Sequence, residues 1–124
     1  IRTSKIPVVV ATQGYVFGGG CEISMHCDAG VYAAESYIGL VEVGVGLLPG
    51  GGGTKEFALR ASDAYFDGDV KIPTLISHFK NIATAAVATS ATEAFTPLPA
   101  FSRYPVSQCR SSVVVACVPR QEYN

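Results

Sequence analysis

Residues 6–28 read I-P-V-V-V-A-T-Q-G-Y-V-F-G-G-G-C-E-I-S-M-H-C-D. The first seven residues form an apolar, β-branched run with the composition of a strand buried on both faces. Gly14 ends that run. After Tyr15, Val16 and Phe17, the triplet Gly18, Gly19 and Gly20 opens a segment in which Cys21, Ile23, Ser24 and Cys27 can form a small apolar helical face. The unit is a strand, a glycine turn and a helix. Residues 29–34 and 37–40 again have strand character and lead into Val41, Glu42, Val43 and Gly44. Leu47, Leu48 and Pro49 precede a second glycine run, Gly50 to Gly53, after which residues 54–60 have helix-forming composition. This alternation of elements places the chain in the α/β class.

Residues 73–95 space Leu75, Ile76, Phe79, Ile82, Ala83, Ala86 and Val87 three or four apart, which predicts one amphipathic helix packed on the sheet. Beyond Phe95 the character changes. Pro97, Pro99, Pro105 and Pro119 punctuate a stretch whose only sustained apolar run is Val113 to Val115. The expected organisation is one domain over residues 1–95 and an atypical tail over 96–124.

The 124 residues suffice for a single domain with a modest core. A formal net charge of −1 argues against a broad basic face for nucleic acid or an acidic membrane, so the expected partner is a small molecule or another protein. No apolar run reaches the roughly 18 residues of a membrane span. Cys21, Cys27, Cys109 and Cys117 form no C-x-x-C pair and no His/Cys cluster at zinc-ligand spacing, so neither a metal nor a disulfide framework is expected and a reducing compartment is the default.

A glycine turn that opens a helix presents backbone N–H groups with no intrahelical partner, at the end where the helix dipole favours negative charge. The turn Gly18 to Gly20 is therefore a candidate oxyanion site; the plainer reading is a tight turn packed on a neighbour. Glu22 follows in the first helical turn, placed either to act beside that site or simply to complement the dipole. Glu42 lies between two valines and ahead of a glycine-rich loop, a weakly polar setting suited to a general acid or base, or else it is an exposed loop carboxylate. Together the two form a candidate acid/base pair. The run Gly50 to Gly53 does not continue as a phosphate loop, since Thr54 and Lys55 stand in the wrong order, and Gly44-Val45-Gly46 meets Pro49 where a dinucleotide fingerprint needs its third glycine. His26 reads as a structural, hydrogen-bonded histidine and His78 as a surface one. Cys21 and Cys27 read as packing residues, and Tyr15 and Phe17 as core or pocket-lining aromatics.

The segment quoted above, with I-G-L-V-E-V-G-V-G-L-L-P-G-G-G-G-T at residues 38–54, resembles the signature region of the enoyl-coenzyme A hydratase/isomerase, or crotonase, family, over roughly residues 5–60. The resemblance implies a spiral of repeated β-β-α units, present here in part. It also implies hydration of a 2-enoyl-CoA to a 3-hydroxyacyl-CoA in fatty-acid oxidation. On this basis Gly19 supplies one of two N–H donors to the thioester oxygen, Glu22 and Glu42 are the two catalytic glutamates, and Gly50 helps hold the water. The family usually has proline before its second glutamate; this chain has Val41. Coenzyme A belongs to the substrate, and no separate cofactor is implied.

Residues 55–75, with I-A-T-A-A-V-A-T-S-A-T-E-A-F after them, resemble the hydratase portion of multifunctional fatty-acid oxidation proteins. This implies a parent chain that continues into an NAD-dependent 3-hydroxyacyl-CoA dehydrogenase. Relatives form trimers or hexamers, or pair with thiolase subunits, in the bacterial cytoplasm or the mitochondrial matrix. The family's other oxyanion donor falls upstream of Ile1, so the chain is expected to be a fragment with half an active site. The likeness stops past Phe95, as a shifted reading frame or a truncation would produce. The competing readings are an enoyl-CoA isomerase on the same scaffold and an inactive remnant or interaction module.

Overall fold

The computed structural model describes residues 1, 3–63, 65, 68, 70, 72–95, 107–108 and 113–117. Its elements run β1 (Val9–Thr12), β2 (Tyr15–Phe17), α1 (Gly19–His26), β3 (Ala29–Ala33), β4 (Tyr37–Gly39), a 3-10 turn (Glu42–Val45), α2 (Gly53–Asp63), α3 (Ile72–Ala83), β5 (Val87–Ala88), α4 (Ala91–Phe95), β6 (Ser107–Gln108) and β7 (Val113–Cys117). The order β1-β2-α1 followed by β3-β4-α2 gives two successive β-β-α units, the repeat the family resemblance implies.

The second unit lies alongside the first. Strand β1 pairs in parallel with β3, Val9 opposite Ala29, and β2 pairs in parallel with β4, Tyr15 opposite Tyr37. Consecutive turns of the coil thus contribute to two sheets, ordered β1-β3-β7-β6 and β2-β4-β5. Strand β7 joins β3 antiparallel, so this part of the 96–124 stretch belongs to the same sheet as β1. The rest of that stretch, beyond β6 and β7, lies outside the described residues.

The core gathers Val16 from β2, Cys21 and Met25 from α1, Ile38 and Leu40 from β4 and its exit, and Phe57 from α2. Phe57 is 2% exposed, and burial of such a side chain stabilises by about 1.5–3 kcal/mol.

Several expectations are corrected. The first strand is not buried on both faces. It spans only Val9–Thr12, alternates exposed and half-buried residues so that one face is open, and leaves Ile6 and Val9 in solvent. The predicted helix over 73–95 stops at Ala83. Ala85 takes a positive φ of 49°, and the chain turns into β5 and then α4. Only part of the apolar stripe of α3 packs inward: Ile82 faces the interior together with His78, whereas Leu75, Ile76 and Phe79 are exposed. His78 is therefore not a surface residue. It is 3% exposed and stacks on Phe57 with ring centroids 5.1 Å apart. Tyr15 is 76% exposed and leans on Phe17 and Tyr37, so it is not a core aromatic. Ile23 is likewise exposed; the buried face of α1 carries Cys21, Glu22, Ser24 and Met25.

Candidate active site

The parallel register that sets Phe17 opposite Gly39 determines where the chemistry collects. Both strands end together, so the segments leaving them, Gly18 to Glu22 and Leu40 to Glu42, emerge side by side at the carboxyl ends of β2 and β4. This is the edge at which α/β sheets characteristically build their sites. Gly18 makes the turn with φ 53° and ψ −123°, and its N–H donates to the Gly39 carbonyl at 3.1 Å. Glycine suits that backbone angle, and a Cβ there would lie 3.3 Å from Glu42 Oε1, which would have to shift by a few tenths of an ångström.

Glu22 is 5% exposed, and a buried carboxyl group is stable only where its oxygens are satisfied. The second glycine run does this. The Gly51 N–H donates to Glu22 Oε2 at 3.0 Å and the Gly53 N–H to Oε1 at 2.9 Å. Gly53 is the first residue of α2, so the Glu22 carboxylate occupies the anion position at that helix N-terminus. Gly52, at φ 111°, gives the turn the curvature that aims both amides at one carboxylate.

A cavity of about 440 Å³ opens beside this clamp, lined by Ile1, Gly19, Glu22, Ile23, His26 and Gly51. Of the four residues singled out from the sequence, Gly19 and Glu22 meet there. Glu42 stands on the other side of Gly18, in the 3-10 turn rather than an open loop, half-buried, with its Oε2 buried and without a hydrogen-bond partner among the described residues. Gly50 is an exposed residue of the turn next to Gly51 and does not line the cavity. Both carboxylates bear on Cys21. Burial first, then Glu42, push its thiol up to about 12, with Glu22 adding and Arg60 opposing. Cys21 is fully buried and Cys27 nearly so, in keeping with packing roles.

His26 is hydrogen-bonded as expected, with Nδ1 2.6 Å from the Glu22 carbonyl. Its Nε2 lies 3.5 Å from Oε1 of Glu56, a buried carboxylate whose Oε2 is 3.7 Å from Arg60 Nε. Arg60 also donates to the Met25 carbonyl at 2.9 Å. Among the described residues, no group of three His, Cys, Asp or Glu is placed to hold a metal ion, and no helix is long and apolar enough to cross a membrane.

Sequence reasoning missed the amides of Gly51 and Gly53, and with them Glu56. The signal was present. A glycine run opening a helix is an anion cradle whichever anion fills it, and here the anion is a side chain of the same molecule instead of a phosphate.

A model of the enoyl-CoA hydratase/isomerase family matches residues 1–64. The chain is 42% identical over 94 residues to a probable 3-hydroxyacyl-CoA dehydrogenase of Bacillus subtilis, covering 76% of this chain and 12% of that protein. It is 44% identical over 55 residues to a crotonyl-CoA hydratase of Syntrophomonas wolfei, covering 44% of this chain and 21% of the relative. Among solved structures, an enoyl-CoA hydratase subunit of Geobacillus kaustophilus superposes with a TM-score of 0.57 at 29% identity, over 75% of this chain and 31% of that one. The chain thus spans a minor part of the relatives it matches. The two β-β-α turns, the family match over the first half of the chain and the structural likeness agree: the chain belongs to the enoyl-CoA hydratase/isomerase, or crotonase, family.

Proposed function

We propose that the chain carries the acid/base half of an enoyl-CoA hydratase, acting on a 2-enoyl thioester of coenzyme A. The observation that carries this reading is the Glu22 carboxylate, buried, clamped by the Gly51 and Gly53 amides and exposed to a cavity beside Gly19. Each carboxylate oxygen keeps a second lone pair after accepting one N–H, so Glu22 can still receive a proton from water. In this reading that water adds its hydroxyl to the β-carbon. Glu42, with its uncommitted Oε2, gives a proton to the α-carbon. The Gly19 N–H faces the thioester oxygen as charge develops on it, a role typically worth about 3–4 kcal/mol, and Gly50 supports the water from the neighbouring turn. Coenzyme A enters as part of the substrate, and the chain acts within a larger fatty-acid oxidation protein.

The test is loss of enoyl absorbance from crotonyl-CoA, in this chain and in the same chain joined to the N-terminal segment of a full-length relative. Hydration that disappears in Glu22→Gln and Glu42→Gln supports the reading. A folded fusion that converts a 3-enoyl to a 2-enoyl thioester but adds no water overturns it in favour of isomerisation.

A further inference from the structure

The clamp on Glu22 has a support of its own. The imidazole of His26 stands between the backbone of Glu22 and the glycine turn that holds the Glu22 side chain. Its Nδ1 must carry hydrogen, because the Glu22 carbonyl 2.6 Å away can only accept. That carbonyl falls within reach of the ordinary helical bond from the His26 amide, so the ring nitrogen is a second donor and not the rescue of an orphan. The carbonyls of α1 beyond it find partners elsewhere: Ile23 accepts from Cys27 Sγ, Ser24 from the Cys27 amide and Met25 from Arg60. Helix capping therefore does not account for the ring.

The far edge of the ring rests on Gly52, where a Cβ would meet Cε1 at 2.9 Å and Nε2 at 3.0 Å. Gly52 is the residue between the two donating amides. Behind the ring, Glu56 Oε1 faces Nε2 at 3.5 Å, while Glu56 Oε2 faces Arg60 Nε at 3.7 Å. Lys55 Nζ, largely exposed, lies 3.9 Å from the same Oε1. Glu56 is itself 5% exposed, and three basic side chains, His26, Lys55 and Arg60, hold its carboxylate in place.

We infer that His26 and Glu56 form a positioning pair: Glu56 sets the tilt of the imidazole, and the imidazole presses Gly52 so that the Gly51 and Gly53 amides converge on Glu22. In this pairing both residues act through the Glu22 clamp. The kinetic consequence rests on the hydratase reading, whereas the structural one does not.

Two substitutions separate the ring's two edges. His26→Asn keeps a donor near the place of Nδ1 and removes the edge on Gly52; His26→Gln reaches toward Glu56 and Gly52 and removes the Nδ1 donor. Amide hydrogen exchange is read residue by residue by NMR in the 124-residue chain, with Ile38 in β4 as the reference for global opening. Exchange at Gly51 and Gly53 is expected to rise about tenfold in His26→Asn while Ile38 and the His26→Gln variant stay near the parent. Parent-like exchange at both glycines in His26→Asn, or a rise shared equally with Ile38, overturns the pairing. Should His26→Asn not fold, Glu56→Gln carries the test, with the same local rise expected and parent-like exchange overturning it. In a form that hydrates crotonyl-CoA, His26→Asn is expected to lower kcat about tenfold with KM held within about twofold, the pattern of a misplaced catalytic group. A parent that hydrates nothing counts against the hydratase reading and leaves the exchange result standing.

Discussion

Gly51→Ala directs a single methyl group at the Glu22 clamp. A Cβ built there lies 2.9 Å from Glu22 Cδ and closer still to Oε2, inside van der Waals contact. The carboxylate is the movable partner, and it must retreat by ~1 Å or more, a displacement that can cost a catalytic group about a hundredfold in rate. Retreat breaks the Gly51 bond of 3.0 Å and strains the Gly53 bond of 2.9 Å. Hydrogen bonds to a charged group contribute about 1.5–3 kcal/mol each, and water in the adjoining cavity recovers part of that. A net loss of ~2 kcal/mol is expected; with a urea dependence of about 1–3 kcal/mol per molar, the unfolding midpoint falls by roughly 1 M. The control is Gly44→Ala, whose Cβ would meet the Ala85 Cβ at an ordinary 3.7 Å. Urea titration and crotonyl-CoA hydration are run on both. A Gly51→Ala protein with the parent's midpoint and the parent's rate would refute the clamp.

Burial, helped by Arg60, holds His78 below its ordinary value of 6.5, so the folded chain favours the neutral ring. The unfolded chain binds the proton first, and stability is therefore full above pH 6.5 and declines below it until the folded ring also protonates. The slope is at most about 1.4 kcal/mol per pH unit; urea midpoints from pH 7.5 to 5 should show it, and His78→Gln should flatten it. Cys21 and Cys27, buried and with thiols pushed up, should react with iodoacetamide only after unfolding; peptide mapping that finds Cys21 alkylated in the native chain contradicts this. Gly39→Ala would drive a Cβ to 2.6 Å from the Ala86 carbonyl and 3.1 Å from Val87 Cα, so β5 must move. The cost, about 1–3 kcal/mol as for other overpacked sites, is measurable as a lowered urea midpoint.

Glycine punctuation made the first half of the chain legible. The turns at Gly18 to Gly20 and Gly50 to Gly53 mark where α1 and α2 begin; the β-branched run ahead of the first turn holds β1, and β3 and β4 lie between the two turns. The break after Ala83 left no such mark, since A-T-A-A-V-A holds no glycine or proline and Ala85 makes the turn with a positive φ. Periodicity also placed the inward face of α3 only in part, at Ile82. It counts apolar side chains, and the interior here takes His78, whose ring stacks flat on Phe57 while Leu75, Ile76 and Phe79 face out. At the site, Glu22 and Gly19 were readable because they flank a helix start. The donors to Glu22 come from across a gap of about thirty residues, and only the parallel stacking of one β-β-α unit on the next brings such distant glycines together.

That stacking also shapes how the molecule can grow. Strands β1 and β2 come from the same turn of the coil, and each stands at the end of its sheet. Among the described residues each therefore has one backbone edge with no strand beside it, a template for pairing. A further turn laid there would extend both sheets at once, as in arrays whose stability sums over neighbouring repeats rather than over a single central core. Resistance to unfolding in such an architecture scales with the number of stacked turns, and its weakest point is the outermost one.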